Sequence, residues 1–96
     1  MYGTVARMRV KPGSDAKLEA LGQEFVALKV PGFVGWMIFR ADAGNNEYWM
    51  AVSFTDKEAY VANANSPEQA QRYEQIVALL ESEPEWHDGE VVVSVP

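Results

Sequence analysis

The sequence predicts a single α+β domain in which helices cover one face of an antiparallel sheet. Three observations lead to this fold class. Two apolar strands form a hairpin in the middle of the chain, over residues 31–54. A strand pattern and then a helix pattern precede the hairpin, and two helix starts and a run of valines follow it. The predicted order of elements is therefore β-α-β-β-α-β.

The N-terminal part of the chain predicts one strand and one helix. Residues 3–11 alternate in the manner of a strand, and Pro12-Gly13 ends it. Ser14 is a suitable N-cap for the helix that follows, and Pro31-Gly32 closes that helix. The apolar stripe of the helix consists of Leu18, Leu21, Phe25 and Leu28.

The central hairpin carries aromatic and β-branched residues in both strands, joined by the polar segment 41–46. A tight turn centred on Ala43-Gly44 or on Gly44-Asn45 fixes the register of the two strands. The predicted cross-strand pairs are Arg40 with Glu47, Ile38 with Trp49, and Trp36 with Ala51. Both faces of the hairpin are then apolar, so each of them needs a cover.

Two capping boxes predict the second helical region. Thr55-Asp56-Lys57-Glu58 opens a short helix from about Asp56 to Asn63. Ser66-Pro67-Glu68-Gln69 opens another, with proline at its first position, and helix signals stop near Pro84. The buried stripe of this last helix consists of Ala70, Tyr73, Val77 and Leu80. Residues 89–95 are predicted to form the last strand, which completes a ferredoxin-like split βαβ arrangement.

The predicted register assigns a different function to each face of the sheet. On the helix side, an apolar pocket for an aromatic ligand is expected from Met8, Met37, Phe39, Met50 and Phe54. The same residues also suit an ordinary core. The opposite face carries an apolar patch that a monomer leaves in water, and it predicts a homodimer joined sheet against sheet. The residues of this patch are Val34, Trp36, Ile38 and Trp49.

Composition excludes several classes of function. The formal charge of −6 and a pI near 4.6 argue against nucleic acid and anionic membranes as partners, because both bind basic surfaces. Cysteine is absent, so neither disulfides nor a thiol nucleophile are expected. The N-terminus lacks an export leader, and no apolar run is long enough to span a membrane. The expectation is one domain over residues 1–96 in a cytoplasmic protein.

Metal and cofactor signatures are absent from the sequence. His87 is the one histidine, and the acidic residues around it suit a solvated turn better than a metal site. His87 is therefore either a surface residue or a base at the rim of the pocket. Ser94 lies within the valine run and lacks the exposed turn of a serine nucleophile. Pro12-Gly13-Ser14 is a turn and an N-cap, with no phosphate-binding loop.

Four stretches of the sequence resemble the antibiotic biosynthesis monooxygenase family. They are VARMRVKPG, PGFVGWMIFR, EYWMAVSFTDKEAYVAN and SPEQAQRYEQI, in this order. The resemblance covers most of the chain. It implies a dimeric α+β barrel, in which two ferredoxin-like protomers place their sheets face to face, with a ligand cavity in each subunit. Some relatives are cofactor-independent oxygenases that act on aromatic polyketides, others degrade haem, and fold alone does not distinguish these activities.

The haem-degrading relatives use an asparagine on the first strand, a tryptophan at the end of the third strand and a histidine on the last helix. In this sequence the corresponding positions hold Ala6, Phe54 and Tyr73. A tyrosine at the position of the iron ligand needs a strongly lowered pKa to bind iron, and Arg72 is the one basic residue beside it. We therefore expect no tight binding of haem.

The resulting functional hypothesis is a cofactor-independent monooxygenase acting on a small aromatic or quinol-like substrate. Tyr60, Asn63 and Tyr73 are its candidate catalytic residues, with His87 as a more distant candidate base. With no metal or flavin, the deprotonated substrate itself has to supply the electron to oxygen. The alternative hypothesis is a non-enzymatic ligand-binding or interaction protein of the same fold. An open volume beneath the helices favours the enzyme, whereas a cavity filled by Phe39, Met50 and Leu80 favours the alternative.

Overall fold

A computed structural model describes residues 1–44 and 46–95. In these ranges the predicted α+β fold is confirmed, with the second helical region divided in two. The elements are β1 (Tyr2–Arg9), α1 (Asp15–Ala27), β2 (Phe33–Arg40), β3 (Glu47–Phe54), α2 (Lys57–Ala64), α3 (Pro67–Val77) and β4 (Glu85–Glu90). The strands form one antiparallel sheet in the order β2-β3-β1-β4. No helix of the described chain is long and apolar enough to cross a membrane.

The register of the sheet divides its residues by the parity of their numbers. Along one row, Ile38 pairs with Met50, Met50 with Ala6, and Ala6 with Trp86. Because paired residues share a face, even-numbered residues of all four strands point towards the helices. Odd-numbered residues point to the other side, which we call the open face; a bulge between Phe33 and Gly35 interrupts the pattern at the start of β2.

The predicted hairpin register is wrong by one residue. Arg40 pairs with Tyr48 and Trp36 with Val52. The connection is longer than a two-residue turn, with left-handed backbone at Gly44 and Asn46, and Ala41 N–H donates to Glu47 O at 2.9 Å. The alternative turn centre Gly44-Asn45 includes Asn45, which lies outside the described residues. A slip of one residue exchanges the two faces of a strand, so β2 is inverted relative to the prediction.

The last strand is also displaced from its prediction. β4 ends at Glu90, opposite Tyr2 at the start of β1, and Val91 N–H donates to Met1 O at 2.9 Å. The valines of residues 92–95 are exposed and form no strand in the protomer, despite their high β-propensity.

Local signals at two helix starts agree with the structure. The Ser66 hydroxyl accepts a hydrogen bond from Gln69 N–H at 3.1 Å, and Pro67 occupies the first turn of α3. At α2 the cap is Asp56, one residue after the predicted Thr55, and its carboxylate accepts from Ala59 N–H at 2.8 Å. Ser14 precedes α1 as predicted, although its side chain forms no capping hydrogen bond.

The fully buried core lies at one end of the sheet, beneath the N-terminal half of α1 and the segment that follows α3. Its members are Met8, Val10, Leu18, Tyr48 and Leu80. Neither α2 nor α3 contains a buried residue. Outside this cluster the buried hydrophobic residues of the described chain, Ala6 and Phe54, belong to the strands, so α2 and α3 leave space for a pocket between themselves and the sheet.

Candidate functional site

A pocket of about 780 Å³ lies between the three helices and the even-numbered face of the sheet. Its volume falls within the range of small-molecule sites. The strands contribute, among others, Thr4, Met8, Trp36, Met50 and Phe54 to its wall. The helices contribute Phe25, Tyr60, Asn63, Arg72 and Tyr73, among others.

Aromatic side chains build the apolar part of the wall. The Phe25 ring lies 5.3 Å from the Trp36 ring and 5.1 Å from the Phe33 ring, measured between centroids. Trp36 lies close beneath Gly22 of α1, where a Cβ would be only 3.2 Å from the indole and would require it to shift by a few tenths of an ångström. Such a wall suits a flat, apolar ligand.

One end of the pocket is polar and links α2 to β4. The Tyr60 hydroxyl donates a hydrogen bond to Asp88 Oδ1 at 2.9 Å. Burial, together with this hydrogen bond, raises the pKa of Tyr60 to about 12, so the phenol is neutral at physiological pH. Asp88 itself is exposed, so its carboxylate can release a proton to solvent.

Thr4 adds an unsatisfied hydroxyl to the same end of the pocket. Its side chain is 5 % exposed, and Oγ1 has no hydrogen-bond partner among the described residues. Tyr60 is close enough for Thr4 to affect its pKa, but the two hydroxyls lack hydrogen-bond geometry. A buried polar group without a partner is unfavourable, and a ligand oxygen at this position would satisfy it.

Two further candidate residues lie on the helical wall. Asn63 accepts a hydrogen bond at Oδ1 from Arg72 Nη2, at 3.4 Å. The Tyr73 ring lies 6.1 Å from the Trp86 ring, and its hydroxyl forms no hydrogen bond with the described part of the chain. Both side chains therefore retain polar groups that a ligand can use.

The structure brings together most, but not all, of the sequence-predicted site residues. Tyr60, Asn63 and Tyr73 line the pocket, as do the predicted contact residues Met8, Met50 and Phe54. Met37 and Phe39 do not line it, because the one-residue register shift turns them to the open face, where they are 62 % and 52 % exposed. The assignment of these two residues to the helix side is therefore wrong.

His87 lies on the open face as well, because Trp86 and Asp88 are the pocket-facing residues of β4. Its Nε2 lies 2.9 Å from Glu85 Oε1, and both side chains are exposed. His87 is therefore turned away from the pocket that it was expected to serve, and we do not propose it as a base there.

The predicted dimer patch is divided between the two faces. Trp36 and Ile38 line the pocket, which contradicts their assignment to the open face. Trp49 lies on the open face and donates from Nε1 to Glu47 at 3.2 Å. Val34, beside the β2 bulge, is 49 % exposed. Exposed Met37 and Phe39 take the places of Trp36 and Ile38, so the open face remains apolar.

Two arginines of the open face, Arg7 and Arg9, lie close to acidic side chains. Arg7 Nε donates to Glu47 Oε1 at 2.7 Å, and this hydrogen bond lowers the pKa of Glu47. The guanidinium of Arg9 lies 4.0 Å from Glu81. No group of three or more metal-binding side chains occurs in the described ranges.

Sequence reasoning missed three polar residues of the pocket. The sequence pattern assigns no role to Thr4 or Asp88, and it marks Arg72 only as a basic residue beside Tyr73. Reading residues 85–90 as a strand would have placed Trp86 and Asp88 on one face. The valines that follow have a higher β-propensity, so the sequence predicts the last strand at residues 89–95 instead.

The fold and pocket match known proteins. The sequence matches the model of the antibiotic biosynthesis monooxygenase family over residues 1–75. Among solved structures, SnoaB from Streptomyces nogalater, described as a cofactor-independent oxygenase, is 23% identical, with a TM-score of 0.83 over 99% of this chain and 96% of that one. No curated protein matches the sequence significantly.

Two further solved structures show how widely the fold occurs. A protein from Chloroflexus aurantiacus, described as of the antibiotic biosynthesis monooxygenase type, is 21% identical, with a TM-score of 0.81 over 99% of this chain and 96% of that one. A conserved protein from Methanosarcina mazei is 17% identical, with a TM-score of 0.79 over 92% and 89% of the two chains. Identities this low establish the fold alone. The match of the family model over most of the sequence goes further, and by it the chain belongs to the antibiotic biosynthesis monooxygenase family.

Proposed function

We propose that this protein is a cofactor-independent monooxygenase that acts on a small aromatic, hydroquinone-like substrate in the pocket beneath the helices. The observation that carries the proposal is the Tyr60–Asp88 hydrogen bond at the polar end of an otherwise aromatic pocket. It places a proton acceptor at a site that suits a phenolic ring. Family membership and the likeness to SnoaB support the same class of reaction.

The first step is removal of a proton from the substrate. A substrate hydroxyl donates to the Tyr60 oxygen, whose own hydrogen already points to Asp88. As the substrate proton moves to Tyr60, the Tyr60 proton moves to Asp88, and exposed Asp88 releases it to water. The Thr4 hydroxyl donates to the resulting substrate oxyanion. Asn63 and Tyr73 orient the ring from the helical wall.

The remaining chemistry takes place between the substrate anion and dioxygen. The anion transfers one electron to O₂, and the resulting radical pair combines at a ring carbon to give a hydroperoxide. Loss of water leaves one oxygen atom on the ring and converts the hydroquinone to a hydroxyquinone. One hydroquinone and one O₂ thus give one hydroxyquinone and one water, so no external reductant is needed. The apolar wall keeps bulk water away from the anion.

Oxygen consumption with naphthohydroquinone tests this proposal, after subtraction of the rate without protein. We expect consumption by the wild type and a loss of about 100-fold in Tyr60→Phe, the scale of a removed proton-transfer group. Tyr2→Phe is the matched control, because the Tyr2 ring lies 5.3 Å from Tyr60 but does not line the pocket. Equal rates in wild type and Tyr60→Phe would contradict the proposal. Binding of the hydroquinone without oxygen consumption would support the alternative, a non-enzymatic ligand-binding protein.

We further propose that two protomers associate through the open face, as in a dimeric α+β barrel. The support is the row of apolar side chains on this face, above all Met37 and Phe39, which the protomer leaves exposed. An interface on the order of 1,500 Å² in total is expected. The Arg7–Glu47 pair lies on the same face and would become desolvated together with its counterpart.

A further inference from the structure

Arg72 is the one cationic side chain among the described residues that line the pocket. It projects from α3 towards α1, where its guanidinium carbon lies 5.4 Å from the centre of the Phe25 ring. A cation–π attraction at this distance holds the guanidinium near the ring and leaves its N–H groups available for hydrogen bonds.

Neutral amides hold this guanidinium in place. Arg72 Nε donates to Gln69 Oε1 at 3.1 Å, and Nη2 donates to Asn63 Oδ1 at 3.4 Å. A guanidinium has five N–H donors, so further donors have no partner in the described part of the chain. The side chain is half-buried, and it is oriented before any ligand arrives.

Arg72 forms no ion pair in the described ranges, where no carboxylate lies within 4.0 Å of it. The acidic residues that line the same pocket, Glu24, Glu68 and Asp88, all lie farther from its guanidinium than that. In contrast, Arg7 lies 2.7 Å from Glu47, and Arg40 lies 2.9 Å from Glu19. The chain has 14 acidic and 8 basic residues, so acidic partners are abundant. An arginine fixed at the wall of an apolar pocket without such a partner suits an anionic ligand.

We propose that the ligand of this pocket carries a carboxylate and that Arg72 binds it, which makes the substrate class an aromatic acid with a phenolic hydroxyl. The phenolic hydroxyl in this substrate class rests on the proposed function, whereas the carboxylate rests on Arg72. Asn63, which contacts Arg72, lies three residues after Tyr60 on α2, and side chains at this spacing are neighbours on one helix face. The carboxylate site and the Tyr60 site are therefore adjacent, at a separation that a compact ring system can span.

Calorimetric titration with 2-naphthoate and its neutral analogue 2-naphthamide tests this inference. Neither compound is a hydroquinone, so binding is measured without turnover. We expect the wild type to bind naphthoate at least tenfold more tightly at low salt, with a preference that declines as salt is added. Arg72→Gln should remove the preference, and Arg72→Lys should retain part of it, because lysine keeps the charge without the planar fork. Arg9→Gln is the matched control on the open face and should keep the full preference.

Equal affinities of the wild type for the two compounds, or no binding of naphthoate, would overturn the inference. A full preference for naphthoate in Arg72→Gln would overturn it as well. Oxygen consumption with naphthohydroquinone, which has no carboxylate, tests the proposed function separately. A wild type that consumes oxygen with this neutral substrate but binds both naphthyl compounds equally would retain the function and lose the anion site.

Discussion

Tyr60 donates its phenolic hydrogen to Asp88 across 2.9 Å, and this hydrogen bond connects α2 to β4 at the polar end of the pocket. Burial raises the pKa of Tyr60 most, and the carboxylate of Asp88 raises this pKa further. Asp88→Asn removes the negative charge and keeps the shape of the side chain. We expect the pKa of Tyr60 to fall from about 12 towards its ordinary value of about 10 in this variant.

Ultraviolet titration of tyrosine ionisation measures this shift. Tyr60→Phe identifies the signal, since the step that titrates near pH 12 should be missing from it. Glu85→Gln is the control on the opposite face of the same strand and should leave that step in place. A step near pH 12 that persists in Asp88→Asn would show that burial alone raises the pKa of Tyr60.

The same pKa shift predicts how stability depends on alkali. The pKa of Tyr60 is about 10 in the unfolded chain and about 12 in the folded one. The stabilisation associated with this difference is fully present below pH 10 and is lost as the pH rises to about 12, because the unfolded state releases its proton first. Denaturation curves should therefore show a smaller loss of stability over this interval for Tyr60→Phe than for the wild type.

A second tyrosine, Tyr48, stabilises the buried core cluster. The Tyr48 side chain is 2 % exposed; its hydroxyl donates to Asp15 at 2.8 Å and accepts from Arg40 Nε at 3.0 Å. Tyr48→Phe should lower the free energy of unfolding by about 1–2 kcal/mol, because both partners lose a hydrogen bond. Tyr73→Phe is the matched control and should change stability little, since the Tyr73 hydroxyl has no partner in the described chain. Chemical denaturation measures both, and equal effects would contradict this difference.

Alanine substitutions at two glycines separate the effect of a steric contact between α2 and the start of β2 from the effect of backbone strain. Gly13 and Gly32 both have positive φ, 83° and 77°, so alanine at either position is strained by about 1 kcal/mol. A Cβ at Gly13 meets nothing within 4 Å, whereas at Gly32 it would lie 2.5 Å from the Cβ of Ala59. Gly32→Ala should therefore lower the free energy of unfolding by roughly 1–3 kcal/mol more than Gly13→Ala does, which is the scale of overpacking. Equal losses would show that the steric contact relaxes without penalty.

Much of the fold could be predicted from the sequence because its local signals are specific. The Ser66-Pro67 helix start and the alternation of β1 each permit one interpretation, and the structure agrees with both. The register of β2 was ambiguous, because Trp36 and Ile38 on one face are as apolar as Met37 and Phe39 on the other. Because no polar residue marks the solvated side, the length of the turn decides the register, and the turn in the structure is longer than the two-residue turn that the sequence predicts.

The pocket was only partly predictable for a related reason. The sequence indicates Tyr60 as a phenol among the side chains of the helix side, and Asn63 by its position near the break between α2 and α3. It does not indicate Asp88 and Arg72, because their importance depends on which partners they have. Asp88 matters through its hydrogen bond to Tyr60, and Arg72 through the lack of a carboxylate within 4.0 Å in the described chain. Such relationships between distant residues are set by the register of β4 and by the placement of α3.

The corrected register also changes how the proposed dimer is tested. Met37→Glu should dissociate the dimer and leave the protomer folded, because this side chain is exposed in the protomer and would be buried without a partner charge in the dimer. Val92→Glu is the control at an apolar residue that is 88 % exposed and lies outside the sheet. Sedimentation of the wild type at micromolar concentration should give twice the mass of one chain. A wild type that sediments as a single chain would contradict the dimer.

Reaction of naphthohydroquinone with isotopically labelled dioxygen tests the central claim most directly. A monooxygenase places one oxygen atom of O₂ on the ring and releases the other as water. Mass spectrometry of the product should therefore show a hydroxynaphthoquinone with one labelled oxygen atom, formed by the wild type at a rate that falls about 100-fold in Tyr60→Phe. Unlabelled naphthoquinone together with labelled hydrogen peroxide would identify an oxidase instead. That result, or a product no more abundant than in the absence of protein, would contradict the account.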